Sequence, residues 1–423
     1  MKRLRTVFVR TAFLVAASVI LFAATPAYTA PLTLMHDKGG DVGWTSRLEE
    51  MSKTYVDQTG GVGIAPTEFP STDAFMTALR ASLSSPDPSP LFTWWAGHRL
   101  DEFVSEGLVA NVSAVWDKHK SEYSPGLRKA YMVGKDTFAI PAGIAYWVMF
   151  YNTKVFAAYN LKPPETWDQF LKVCATLKAN GVVPMAESVQ GGWPPMVQFM
   201  EFLVRTDPDF YESLMEGKAK YTDPQVREMF RSWRKLMDAG YFSDSATDLF
   251  ADFPRLFGAG KIAMIDMGTW YTSVLSAAGV KLGEDYDFFL IPPINPKAGK
   301  VVIVEATPIL ISEKSADKQA ALKFADWWMS PGAQAQWGKL IGQFPSNSKS
   351  DMSFLEKPFQ TLIAKINGEK YRQVNRFWEA TLPDIASDAL AQFGEFVLHP
   401  DNVDAVMKTL QANAEKYWAK AKK

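Results

Sequence analysis

Residues 136–152 read DTFAIPAGIAYWVMFYN, an extended stretch that meets Pro141 and Gly143 and continues as an aromatic run ending in Tyr151 and Asn152. A proline inside a sheet has no amide hydrogen to give the ladder, and a glycine weakens it. The strand is therefore expected to break here and to resume as a buried one. A helix follows in 161–184, LKPPETWDQFLKVCATLKANGVVP. Thr166 and Gln169 stand at capping-box spacing, while Trp167, Phe170, Leu171, Cys174 and Leu177 repeat at helical spacing along one face. Gly181 ends the helix.

The same alternation runs through the N-terminal third. Residues 31–37 read as a strand, 47–58 as a helix, 63–69 as a strand entering the turn 70–73, and 73–84 as a helix. SSPDPSP at 84–90 is a breaker-rich loop, followed by a short apolar strand at 91–95 and a helical pattern at 99–106. Such alternation implies an α/β fold, with mostly parallel sheets flanked by helices. A later amphipathic helix, from about Ser315, turns Ala321, Leu322, Ala325 and Trp328 inward before Pro331 and Gly332 interrupt it. Trp327 and Trp328 are accordingly read as packing residues.

The N-terminal segment carries Lys2, Arg3, Arg5 and Arg10, then an apolar run at 11–24 and small residues ending at Ala27 or Ala30. Residues 1–30 thus read as a signal peptide, cut after one of those alanines. The run falls short of the roughly 20 residues that span a bilayer. No cysteine adjoins either cut, which favours release into the periplasm over a lipid anchor. Roughly 390 residues follow the leader, more than one core usually organises, so two domains are expected.

The leader holds four basic residues and no acidic ones. The chain's 45 basic and 46 acidic residues therefore become 41 against 46, and that acidic balance excludes nucleic acid as a partner. Cys174 has no mate and lies on a helix's apolar face, so it reads as a small buried hydrophobe. His36, His98, His119 and His399 are scattered, without an H-E-x-x-H or C-x-x-C pattern, so no metal is expected. No G-x-S-x-G elbow and no P-loop is present either.

Three further blocks stand in order around residues 136–184. They are LFTWWAGHRLDEFVSEGLVANVS at 91–113, FGAGKIAMIDMGTW at 257–270, and EATPILISEKSADKQAALKFADWWMSPGAQAQWGKLIGQFPSNSK at 305–349. Together they resemble the sugar-binding (family 1) extracellular solute-binding proteins of ABC importers. The resemblance implies a two-lobed type II periplasmic binding protein fold whose lobes are joined by a multi-segment hinge. Lobe one would hold 31–142 and 305–345, and lobe two 147–300 and 350–423. The crossings would fall near 142–147, 300–305 and 345–350. A monomer that captures a carbohydrate between the lobes and delivers it to permease subunits in the inner membrane is implied, with no catalysis and no cofactor.

A pyranose offers apolar faces to aromatic rings and a rim of hydroxyls to polar groups. Trp95 with His98 and Arg99, Glu187 with Trp193, and Gly268 with Trp270 each combine a ring with a polar group or a close-approach glycine. The resemblance makes Trp270 the leading stacking residue and Trp378 a second; core packing is the alternative for both. Asp37, Glu68 and Glu305 are candidate hydroxyl acceptors, Asp37 equally a turn cap. Many relatives carry an acidic residue where this chain has Ala145, so the contact there is expected to pass to Tyr146. Two other readings remain: a glycosidase using carboxylates among Asp37, Glu68, Glu187 and Glu305, and a binder of a non-sugar polar solute, with Arg99 or Arg255 serving an anion.

Overall fold

The structure is a computed structural model that describes residues 30–38 and 43–421. The leader, save Ala30, and the choice between its two cuts lie outside the described residues. The described strands are β1 Leu32–His36, β2 Ile64–Glu68, β3 Leu91–Thr93, β4 Met132–Val133, β5 Asp136–Thr137, β6 Ala139–Asn152, β7 Val183–Met185, β8 Ile262–Gly268, β9 Tyr286–Phe289, β10 Val301–Ile311 and β11 Arg372–Asn375. Nine of them form one sheet in the order β2-β1-β3-β10-β6-β8-β7, with β11 on β10 and β9 on β6. The sheet is mixed. β1 runs parallel to β2 and β3, β7 to β8, and β11 to β10, whereas β10 and β6 oppose each other and their other neighbours.

Helices cover both faces, and so β8, IAMIDMG, is buried along its whole length, as a strand covered on two sides should be. The helix Trp44–Thr59 buries Trp44, Leu48, Met51 and Tyr55. Thr72–Leu83 starts where Ser71 Oγ accepts from the Ala74 amide at 3.2 Å. In Trp167–Ala179, Thr166 Oγ1 accepts from the Gln169 amide at 3.3 Å. Gln169 Oε1 reaches back to the Glu165 amide at 2.8 Å, one residue earlier than an ordinary capping box. Phe170, Val173, Cys174 and Leu177 face the core, while Trp167 and Leu171 sit half-buried at its edge. Burial pushes the Cys174 thiol up to about 12, which makes it inert.

The buried apolar side chains gather in two separate cores. One draws on β1, β2, β3, the start of β6, the end of β10 and the helices Lys318–Trp328 and Pro331–Ile341; the other draws on the end of β6, β7, β8, β9, the start of β10, β11 and the C-terminal helices. Only β6 and β10 feed both.

The expected break in β6 does not occur. The strand is continuous, and its irregularity is a shift in pairing: Pro141 stands opposite Pro308 and Gly143 opposite Thr307, so Ala142 is left without a partner. Two facing prolines donate no amide hydrogen, which leaves carbonyls to be satisfied from outside the ladder. Indoles supply them. Trp328 Nε1 donates to the Pro141 carbonyl at 2.8 Å, and Trp337 Nε1 to that of Ala142. Among the described residues no helix is long and apolar enough to cross a membrane.

Candidate functional site

The carboxyl ends of β1, β2 and β3 lie on one edge, because the three strands are parallel. That edge is where open α/β sheets receive ligands. Asp37 follows β1; its Oδ1 accepts from Thr93 Oγ1 at 2.9 Å and its Oδ2 lies 3.2 Å from Lys38 Nζ. Burial works against the Lys38 charge, yet Asp37 and Glu305 overcome it and hold the ammonium above its ordinary value. Glu68 ends β2 in an exposed position, accepting from Thr45 Oγ1 at 2.5 Å.

From the other core, β8 ends at Gly268 and delivers Trp270. The Trp270 indole N–H donates to Glu305 Oε2 at 3.0 Å, and the same oxygen lies 2.9 Å from Arg376 Nη1. Arg376 also binds both carboxylate oxygens of Glu379, with Nε at 2.9 Å. Burial opposes its charge, and Glu305 and Glu379 raise the guanidinium well above its ordinary range. Gly268 is required by close approach: a Cβ there would lie 2.4 Å from Trp270 Nε1. Trp193 and Phe250 flank the indole, each with its ring centre 6.4 Å away, Phe250 within 28° of parallel. Phe250 is 44% exposed, and large exposed hydrophobics are few among the described residues.

Glu305 is paired directly with Ala145 across β10 and β6. Residues directly opposite in an antiparallel pair point to the same face, so a carboxylate stands beside Ala145, where the resemblance implies an acidic residue. Tyr146 is half-buried, its ring 5.6 Å from Phe344, and burial raises its hydroxyl.

A second group adjoins the first through Arg376 and Trp378. Arg99 is 3% exposed; its guanidinium carbon lies 3.7 Å from the centre of the Trp378 ring and 5.4 Å from that of Trp95, and the two indoles meet edge-on at 6.2 Å.

The remaining sequence candidates lie elsewhere. His98 pairs with Asp101 at 3.2 Å and meets Trp418 edge-on. Glu187 is 4% exposed and accepts from Trp233 Nε1 at 2.8 Å; burial pushes its carboxyl up to about 7. Lys38, Phe250, Arg376 and Glu379 were missed. Only RFWEATLP, with charges on both sides of Trp378, held a signal for the last two.

Two cores sharing two long strands, with aromatic and ionic side chains converging beside the shared segment, define a binding protein of the two-lobed α/β class. The chain belongs to the bacterial extracellular solute-binding protein family, whose sequence model matches residues 50–362. It is 26% identical over 382 residues to an ABC transporter extracellular-binding protein of Pyrococcus horikoshii, covering 85% of this chain and 83% of that one. A probable sugar-binding periplasmic protein of Brucella suis is 24% identical over 321 residues, 72% of each chain. Among solved structures, the bacterial solute receptor AcbH, whose substrate preference is given as β-D-galactopyranose, superposes with a TM-score of 0.83 at 22% identity over 92% of this chain and 99% of that one. A chitin oligosaccharide binding protein gives 0.78 at 20% identity over 91% and 98%. These likenesses show the fold, a periplasmic binding protein architecture with a mixed sheet.

Proposed function

We propose that this protein captures a neutral sugar or oligosaccharide between its two cores and hands it to the permease of an ABC importer in the inner membrane, acting as a periplasmic monomer. The observation that carries the reading is Trp270, whose indole is fixed edgewise by Glu305 and Gly268 with its flank extended by Trp193 and Phe250. An anchored ring beside a carboxylate suits a pyranose, which stacks one face and bonds through its rim. Two stacked rings at about 1 kcal/mol each and about five hydrogen bonds near 1 kcal/mol each approach the roughly 8 kcal/mol of micromolar binding. The sugar-binding names of relatives support the same reading.

Charge supports neutrality. Lys38 and Arg376 face Asp37, Glu305 and Glu379, so neither is left over for an anion. Of the two arginines considered for an anionic ligand, Arg99 lies buried under Trp378 and Arg255 pairs with Asp252 in the open. Catalysis is disfavoured on the same grounds. Glu187 is turned into the core and Glu305 is held by Arg376 and Trp270, so neither is poised as a glycosidase acid or base. The lobes would be 31–142 with 305–345 and 147–300 with 350–423, hinged where β6 and β10 pass between the cores.

Isothermal titration of the purified protein against neutral mono- and oligosaccharides, uronic acids and sugar phosphates tests this. At least one neutral sugar is expected to bind with a micromolar or tighter Kd, without turnover in the recovered ligand. Millimolar binding of every neutral sugar, or a clear preference for a charged solute, overturns it.

A further inference from the structure

Among the partly buried side chains, Trp378 is packed against both cores. Its partner from the first core is Arg99, on the helix His98–Ser105. Besides stacking on the Trp378 ring at 3.7 Å, Arg99 directs Nε at the Trp378 carbonyl at 3.3 Å and Nη2 at Ser387 Oγ at 3.4 Å, on the helix Pro383–Leu398 of the second core. The backbones meet beside it. Gly97 adopts a φ of +64°, and a Cβ there would lie 2.2 Å from the Glu379 carbonyl oxygen. Burial lowers the Arg99 guanidinium to about 10, with Glu379 and Glu102 opposing that shift, so it is still charged at neutral pH.

We propose that Arg99 is a positioning residue that latches the two cores together across Trp378, rather than a ligand contact. Its planar cation covers one face of Trp378, and a solute would have to displace it to stack on that face. The latch also reaches the binding platform. Trp378 shares a turn with Arg376 and Glu379, Arg376 binds Glu305, and Glu305 holds the Trp270 indole. Freeing Trp378 therefore loosens the element that orients Trp270. A desolvated cation–ring contact biases a two-state equilibrium by about tenfold or more. The inference rests on the reading of a closing cleft, but its test needs no ligand.

Small-angle scattering of the ligand-free protein is the measurement, on wild type, Arg99→Met and Ser387→Ala, with thermal unfolding followed in parallel. Arg99→Met keeps the aliphatic stem and loses the cation; Ser387→Ala removes one hydrogen bond and serves if Arg99→Met fails to fold. Each variant that folds is expected to show a larger radius of gyration than wild type, Arg99→Met the more so. Unchanged dimensions in a folded variant, with only a lowered melting temperature, would reduce Arg99 to a packing residue and overturn the latch. Failure of sugars to bind would instead count against the proposed function and leave the scattering comparison standing.

Discussion

At the scale of single residues, one indole depends on one glycine. Replacing Gly268 by Ala puts a methyl where Trp270 Nε1 sits, so the ring must turn away from Glu305. Gly268→Ala and Trp270→Ala are both expected to weaken sugar binding roughly 10- to 100-fold, the range of one stacked ring with its buried area and one polar anchor. Titration calorimetry checks the affinity and thermal unfolding checks that Trp270→Ala stays folded. Glu187 gives a prediction of a different kind. Its buried carboxyl keeps its proton up to about pH 7, whereas the ordinary value is 4.5. The stability it contributes is present below 4.5 and is lost as pH rises through 7, roughly 3 kcal/mol at most. Glu187→Gln, which can still accept from Trp233, should raise the melting temperature at pH 8 and leave it nearly unchanged at pH 4.5.

Among the elements, β6 carries the largest difference between expectation and structure. Pro141 and Gly143 were expected to end a strand, yet the chain stays extended because indoles from two helices take the carbonyls that the paired prolines leave over. Trp337→Phe keeps the ring and removes the donor. It should cost about 1–3 kcal/mol by stranding a buried carbonyl, read as a lowered urea midpoint with an unchanged slope. The helix Trp167–Ala179 was legible almost entirely, since capping and hydrophobic periodicity are local signals. Val173 escaped because burial there is decided by what packs from above. Thr166→Ala should cost about 1 kcal/mol as an ordinary lost cap and leave sugar affinity unchanged, since its one side-chain bond is to the Gln169 amide.

For the whole molecule, the proposed capture requires the two cores to rotate about the strands β6 and β10 that feed both, a closure by a few hinge residues. A saturating sugar is therefore expected to lower the radius of gyration in scattering and to shift the tryptophan emission, because Trp95 with Trp378 and Trp193 with Trp270 form the ring pairs beside the proposed site. A sugar that binds tightly and alters neither signal would contradict closure. Charge distribution fits the same picture. Lys38 comes from the first core and Glu305 with Arg376 from the shared strand and the second, so the ionic cluster joins the elements that the proposed closure would bring together.

By itself the sequence determined the α/β class and the strands and helices of the N-terminal third, because these rest on periodicity, caps and breakers written within short windows; the family was legible from the order of its motif blocks, and Trp270 was singled out only through that resemblance. Only the tertiary structure decided which candidates meet. Glu305 stands beside Ala145 through strand register, Glu187 turns to Trp233 through helix packing, Arg99 is covered by Trp378 from the other core, and Phe250 joins the platform from a loop without periodic pattern. Each of these joins residues far apart in the chain, and no local pattern encodes a distance between segments that first become neighbours when the cores assemble.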